Sequence, residues 1–352
     1  MSYENACAAL NLDMPPVIPR TEYSAEFHWP LIEAVTGASG LQESDNPTRS
    51  AASRKFIEAW DYAFVWSTLI SSDEFGQYRT RMGHALYMAG GEDWDAIISS
   101  PFVSPESVLA FRPLECLPRV DKVRTRERFE RHYRENCLNF PTTVNMTGIY
   151  VTCISGLIDL FGWDLLLEAH GDDPARMGEL TDEYCSWLLS YFEALAEANT
   201  PIVMVHDDLV WSSGAIFRPE WYRRYVFPNY RRLITPLREA GEKVLFTADG
   251  NYTMFVDDIA ACGVSGFVLE PWTDMDYVAE KYGKTHVIVG NADTRILLSG
   301  SKYDIECEVR RCIDIGRDCP GFILAVGNHI PPNTPVESAL YYDECYRRLR
   351  AR

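Results

Sequence analysis

From about residue 200 to the C-terminus, short apolar runs alternate with longer stretches whose apolar positions recur every three to four residues. This is the pattern of buried parallel strands separated by amphipathic helices. Strand Ile202–His206 precedes helix Pro219–Ala240, Lys243–Thr247 precedes Thr253–Cys262, and Gly266–Glu270 precedes Met275–Tyr282. His286–Gly290 is followed by a turn at Thr294–Leu298 and a helix over Tyr303–Ile315, and Phe322–Val326 by Val336–Arg350. Upstream, residues 2–13 predict a helix stopped by Pro15 and Pro16. Val17–Ser24, Asp61–Thr68 and Thr142–Cys153 predict strands, and Phe27–Val35, Ser50–Trp60, Gly156–Ala169 and Pro174–Ala198 predict helices. Met82–Met88 and Asp95–Ile98 carry no assignable pattern. Five βα units with three upstream units make eight parallel strands with crossover helices. The expectation is an α/β fold, a single (β/α)8 barrel over residues 1–352 with residues 1–15 as an N-terminal helical extension.

In such barrels chemistry gathers where strands end. His206, Asp207 and Asp208 follow one strand, Asp249 and Asn251 the next, and Glu270 the third. Asn328 and His329 follow the last, on a turn opened by Gly327 and stiffened by Pro331, Pro332 and Pro335, with Thr334 placed to cap the closing helix. Asp207 and Asp208 could equally cap a helix, and Asp249 could belong to an Asx-turn. Asp249, Glu270 and His329 are the candidate catalytic residues. With His206 they form a mixed oxygen and nitrogen set able to hold zinc or another divalent ion; without metal, the same groups could donate a proton. Glu22, Tyr23, His84, Asp208, Asn251 and Asn328 are candidate substrate-binding residues.

Composition narrows the classes. A net charge of −18 excludes a phosphate-binding basic surface, and with it nucleic acid. No apolar run reaches bilayer-spanning length, and the N-terminus has no export signal, so a soluble cytoplasmic location is expected. Ten cysteines without any Cys-x-x-Cys read as reduced thiols rather than a zinc ribbon. The oligomeric state is left open.

The succession Asp207-Asp208, Phe217-Arg-Pro-Glu220-Trp-Tyr, Phe246-Thr-Ala-Asp-Gly-Asn251, Gly290-Asn-Ala-Asp293, Leu297-Leu-Ser-Gly300 and Ile330-Pro-Pro-Asn-Thr-Pro335 resembles the uroporphyrinogen decarboxylase superfamily. Upstream, Pro19-Arg-Thr-Glu-Tyr23 and Arg81-Met-Gly-His84 carry a weaker likeness. The resemblance implies a (β/α)8 barrel that either decarboxylates a tetrapyrrole or exchanges methyl groups with a corrinoid, in some members with zinc. True decarboxylases resemble one another in an Arg-Gln-Ala-Gly-Arg segment that grips carboxylates, where this chain has Pro19-Arg20-Thr21-Glu22-Tyr23. Thiol-methylating members share His-x-Cys and a further Cys, where this chain has Thr247-Ala248-Asp249 and Asn328.

The resemblance therefore implies the corrinoid-linked branch acting on an oxygen-bearing methyl donor. The leading expectation is a methyltransferase moving a methyl group from a small methoxylated compound to a corrinoid held by a partner protein, with zinc as an optional aid. The alternatives are a decarboxylase or lyase on a tetrapyrrole or other small acid, and a barrel that binds corrinoid or tetrapyrrole without catalysis.

Overall fold

The computed structural model describes residues 2–80, 86–88, 91–93 and 100–352. Strands Thr147–Ile149, Ile202–His206, Lys243–Thr247, Gly266–Val268, Val287–Ala292 and Phe322–Val326 pair in that order, all parallel. Phe64–Val65 pairs in parallel with Val144–Asn145, which runs on into the first strand of that sheet after Met146.

The ring is completed by a single residue. Arg20 makes parallel bridges to Tyr62 on one side and Leu324 on the other. Thr21 N donates to Leu324 O at 3.0 Å, Leu324 N to Pro19 O at 2.9 Å, and Ala63 N to Arg20 O at 2.6 Å. The eight-stranded barrel expected from the βα rhythm is thereby closed, with helices outside it.

Side chains alternate across each strand, and this alternation sorts the core into two bodies. Met204, Leu245, Val287, Val289 and Ile323 face inward. They meet Ala6, Ala9 and Leu10 of the helix Ser2–Leu10, which packs under the amino ends of the strands. Val203, Val205, Phe246, Phe267, Ile288 and Leu324 face outward against the helices.

Departures from the expected elements have local causes. The helix predicted over Gly156–Ala169 is two, Cys153–Phe161 and Trp163–Asp172, divided where Gly162 takes φ +76°. Pro219–Ala240 is also interrupted: Tyr222–Val226 forms a wider π turn just before Pro228, which has no N–H to donate back along the helix. Thr334 does not cap the closing helix Val336–Leu349; its hydroxyl has no partner among the described residues. Met82–Met88 lies partly, and Asp95–Ile98 wholly, outside the described residues. Leu86–Met88 pairs antiparallel with Gly91–Asp93.

Candidate active site

The same alternation decides which strand-end residues face the barrel mouth. Met204 points inward, so His206 does as well; Leu245 leads to Thr247 and Asp249, and Val268 to Glu270. These groups meet Gly327, Asn328 and His329 around one cavity of about 550 Å³, counted with its opening to solvent. Met204, Val268 and Ala325 also line it, and Tyr23, Trp66 and Tyr150 provide aromatic walls. Among the described residues, no Lys or Arg lines this cavity.

His206 stacks on Tyr150, with ring centroids 3.9 Å apart and planes within 12°. Its Nδ1 lies 3.1 Å from Tyr150 O, and its Nε2 lies 3.2 Å from Asp208 Oδ1. Burial would strip the imidazole of its proton. The Asp208 carboxylate outweighs that, helped by Asp249 and the Tyr150 carbonyl, and holds His206 up to about 9.

Asp249 projects into the cavity mouth, where solvent reaches it while protein surrounds it elsewhere. Burial, then the Asp208 and Glu270 carboxylates, push its carboxyl well above the usual carboxylate range, against the pull of His206 and a hydrogen bond from Asn328. Burial also raises Glu270, although Gly250 N donates to its Oε2 at 2.6 Å and Asn328 Nδ2 donates to its Oε1. Asn328 thus fixes both carboxyls from one amide. His329 Nδ1 lies 2.5 Å from Ser24 Oγ, and its ring meets Tyr23 edge-on at 4.8 Å. Burial, then Asp249, lifts the Tyr23 phenol to about 12, so it remains a neutral hydroxyl at the wall.

The structure therefore brings together His206, Asp208, Asp249, Glu270, Asn328, His329 and Tyr23. It does not bring Glu22 or Asn251. Glu22 has the outward parity of Ile18 and Arg20, is fully buried, and accepts from Val326 N at 2.9 Å. Asn251 accepts from Thr253 N at 3.2 Å, closing a turn of its own backbone. Asp207 takes the capping role: its Oδ1 accepts from Ile154 N and Ser155 N at 2.8 and 2.6 Å, and its other oxygen from the Tyr230 hydroxyl. His84 lies outside the described residues.

The expected metal set is also regrouped. Ligand atoms of His206, Asp208 and Asp249 all lie within 4.8 Å of one another. Glu270 and His329 stand outside that group, held by Gly250, Asn328 and Ser24. One imidazole and two carboxylates opening onto a cavity suit a divalent ion with room for a substrate oxygen. Trp66 and Tyr150 were not singled out as site residues from the sequence, where both fall inside segments read as strands.

A closed parallel barrel whose strand ends carry acids and imidazole around an aromatic-walled cavity is an enzyme architecture. The chain belongs to the uroporphyrinogen decarboxylase family: the model described as Uroporphyrinogen decarboxylase (URO-D) matches residues 82–348. A uroporphyrinogen decarboxylase of Syntrophotalea carbinolica is 32% identical over 176 residues, half of each chain, and one of Thermus thermophilus is 31% identical over 179, 51% of this chain and 50% of the relative. The chain's match thus spans about half the length of these curated relatives. A methyltransferase from Methanosarcina mazei superposes over 99% of this chain and 98% of its own with a TM-score of 0.67 at 16% identity, a likeness of fold.

Proposed function

We propose that the chain is a methyltransferase that takes a methyl group from a small methoxylated compound. One observation carries this reading: Asp249, whose carboxyl burial and the neighbouring Asp208 and Glu270 carboxylates push well above the usual range, faces a cavity walled by Tyr23, Trp66 and Tyr150 and, among the described residues, lined by no Lys or Arg. A substrate bearing many carboxylates would meet Asp208, Asp249 and Glu270 with, among the described residues, no arginine in the cavity to receive it. An aromatic ether fits the walls and has the chemistry that a protonated acid serves.

Breaking the bond between methyl carbon and oxygen leaves the electron pair on oxygen, and an alkoxide or phenoxide is a poorer leaving group than the alcohol. Asp249 delivers its proton to that oxygen as the bond breaks, so the product departs as a neutral alcohol or phenol. Asn328 holds Asp249 and Glu270 in register, and the His206–Asp208 pair fixes the acid's neighbour. His329, which also lines the cavity, is an alternative donor. Once its proton is spent, Asp249 is reprotonated from solvent at the open mouth. A corrinoid carried by a partner protein supplies the nucleophile that accepts the methyl group. A zinc ion, if bound, would be held by His206, Asp208 and Asp249 in place of their protons and would supply Lewis-acid polarisation of the leaving oxygen instead of the Asp249 proton.

A second reading, decarboxylation of a small acid, draws on the curated relatives, which are named decarboxylases. The same Asp249 proton would then go to the carbon that loses carbon dioxide.

The purified chain is tested against a panel of methoxylated aromatic compounds with and without reduced corrinoid, following release of the phenol by chromatography. Corrinoid-dependent phenol release supports methyl transfer. Carbon dioxide release from a small acid without corrinoid, and no phenol from any member of the panel, sinks it in favour of the second reading.

A further inference from the structure

The cavity continues past Tyr23, Trp66 and His329 into a wider groove of about 1710 Å³, counted with its opening to solvent; these three residues line both spaces. The groove runs along the helix Asn46–Ala59, and Phe27, Trp29 and Phe140 give it flat apolar walls. Phe27 is 58% exposed, and its ring meets Trp29 edge-on at 6.4 Å.

Two arginines face this groove, and they differ. Arg49 is committed to structure: its Nε donates to Leu41 O at 2.8 Å, another nitrogen donates to Gln42 O, and the guanidinium lies 5.1 Å over the Trp29 ring. Arg54 is half-buried in the groove wall and makes no hydrogen bond or ion pair among the described residues. In a chain with 51 acidic and 33 basic residues, acidic partners are abundant. Glu26 borders the same groove, yet burial holds its carboxyl up to about 7 with only its own backbone and the Tyr62 hydroxyl pulling it down; no arginine contributes. A guanidinium left without a carboxylate in a concave, partly desolvated wall is equipped to receive one from outside.

We propose that Arg54 binds the anionic group of the substrate, and that the substrate is therefore an aromatic acid whose ring and ether end reach between Tyr23 and Trp66 into the cavity. This rests on the reading of the cavity as the methyl-donor site. It also separates two demands: the cavity, lined by acids and, among the described residues, by no Lys or Arg, gives an anion no guanidinium or ammonium, and the groove beside it gives it Arg54. The acid end of the ligand stays in the groove and the neutral ether end enters the cavity.

The test is calorimetric binding of 4-methoxybenzoate, the longer 4-methoxycinnamate and neutral 4-methoxybenzyl alcohol to the full chain and to its Arg54→Gln and Arg54→Lys variants, with thermal melting to confirm folding. The expected result is tighter binding of at least one anion than of the alcohol by the parent. That preference should fall roughly tenfold to a hundredfold in Arg54→Gln, recover in part in Arg54→Lys, and leave the alcohol unchanged. Anions that bind no better than the alcohol, or that bind Arg54→Gln as they bind the parent, overturn the proposal. Corrinoid-dependent phenol release that survives Arg54→Gln at the parent rate overturns the Arg54 assignment alone. Arg54-dependent binding of cinnamate lacking the methoxy group, with no phenol released from either methoxylated anion, upholds the anion site and counts against the methyl-donor reading.

Discussion

Two acidic networks sit at opposite sides of the same ring of strands, and they differ in how their charge is met. At the closing seam, Arg20 lies between the rings of Trp60 and Tyr346, 4.6 and 4.4 Å from their centroids. Its NH2 lies 2.8 Å from Asp343, and its Nε 3.9 Å from Glu22. One guanidinium thus serves two carboxyls, and both it and Glu22 are fully buried. At the barrel mouth, Asp208, Asp249 and Glu270 share one imidazole and one amide beside an open cavity. Both networks raise a carboxyl, Glu22 at the seam and Asp249 at the mouth, but the seam's faces a buried cation that ties strands together and the mouth's faces an open cavity that a substrate can reach.

The largest effect that would separate the two networks is on rate. Asp249→Asn keeps the hydrogen bonding but removes the transferable proton, and phenol release is expected to fall by roughly 10²–10⁴-fold, the range of general acid catalysis, while the melting temperature holds. A variant with parent activity would break the functional half of the comparison. Next comes Arg20→Ala, which strands Glu22 and Asp343 without their cation. It is expected to destabilise the fold by roughly 3–5 kcal/mol in urea unfolding, with turnover per folded molecule nearly unchanged. Loss of activity without loss of stability would put the seam in the wrong class.

The smallest effect is a slope. Burial, against the pull of Arg20 and Val326 N, lifts Glu22 to about 7 from the ordinary 4.5. A carboxyl raised in the fold contributes stability that is fully present below the ordinary value and is lost as pH rises through the raised one. Between pH 4.5 and 7 the unfolding free energy of Glu22→Gln should therefore decline less steeply than that of the parent. Equal slopes would show that Glu22 holds no proton in the folded chain.

The strands from Ile202 onward were legible because each is a compact apolar run followed by polar residues, and their ends place His206, Asp249, Glu270, Asn328 and His329 around one cavity. Glu22 and Asp207 were harder to place because a strand end has two faces. Counting by twos from Ile18 puts Glu22 outside the ring, and counting from Val203 and Val205 does the same for Asp207. The pattern places the first and third strands at Val17–Ser24 and Thr142–Cys153 but overstates their regular extent: the first is held by one bridging residue and the third is broken at Met146. Arg54 left no signal at all, since an arginine on a helix reads as solvated until the groove beside it is seen.

The seam has a further consequence for the order of events during synthesis. Glu22 accepts from Val326 N across 304 residues, and the Tyr346 hydroxyl donates to Ile18 O across 328. A ribosome must therefore deliver more than 300 residues after the first strand before the ring can shut, and the early segments wait with an unpaired strand edge. Val326 immediately precedes the Gly327-Asn328-His329 turn, so the step that shuts the ring also sets the last wall of the cavity. The chain acquires its pocket only once the strand Phe322–Val326 has emerged, and the waiting edge is the point at which a chaperone would have most to protect.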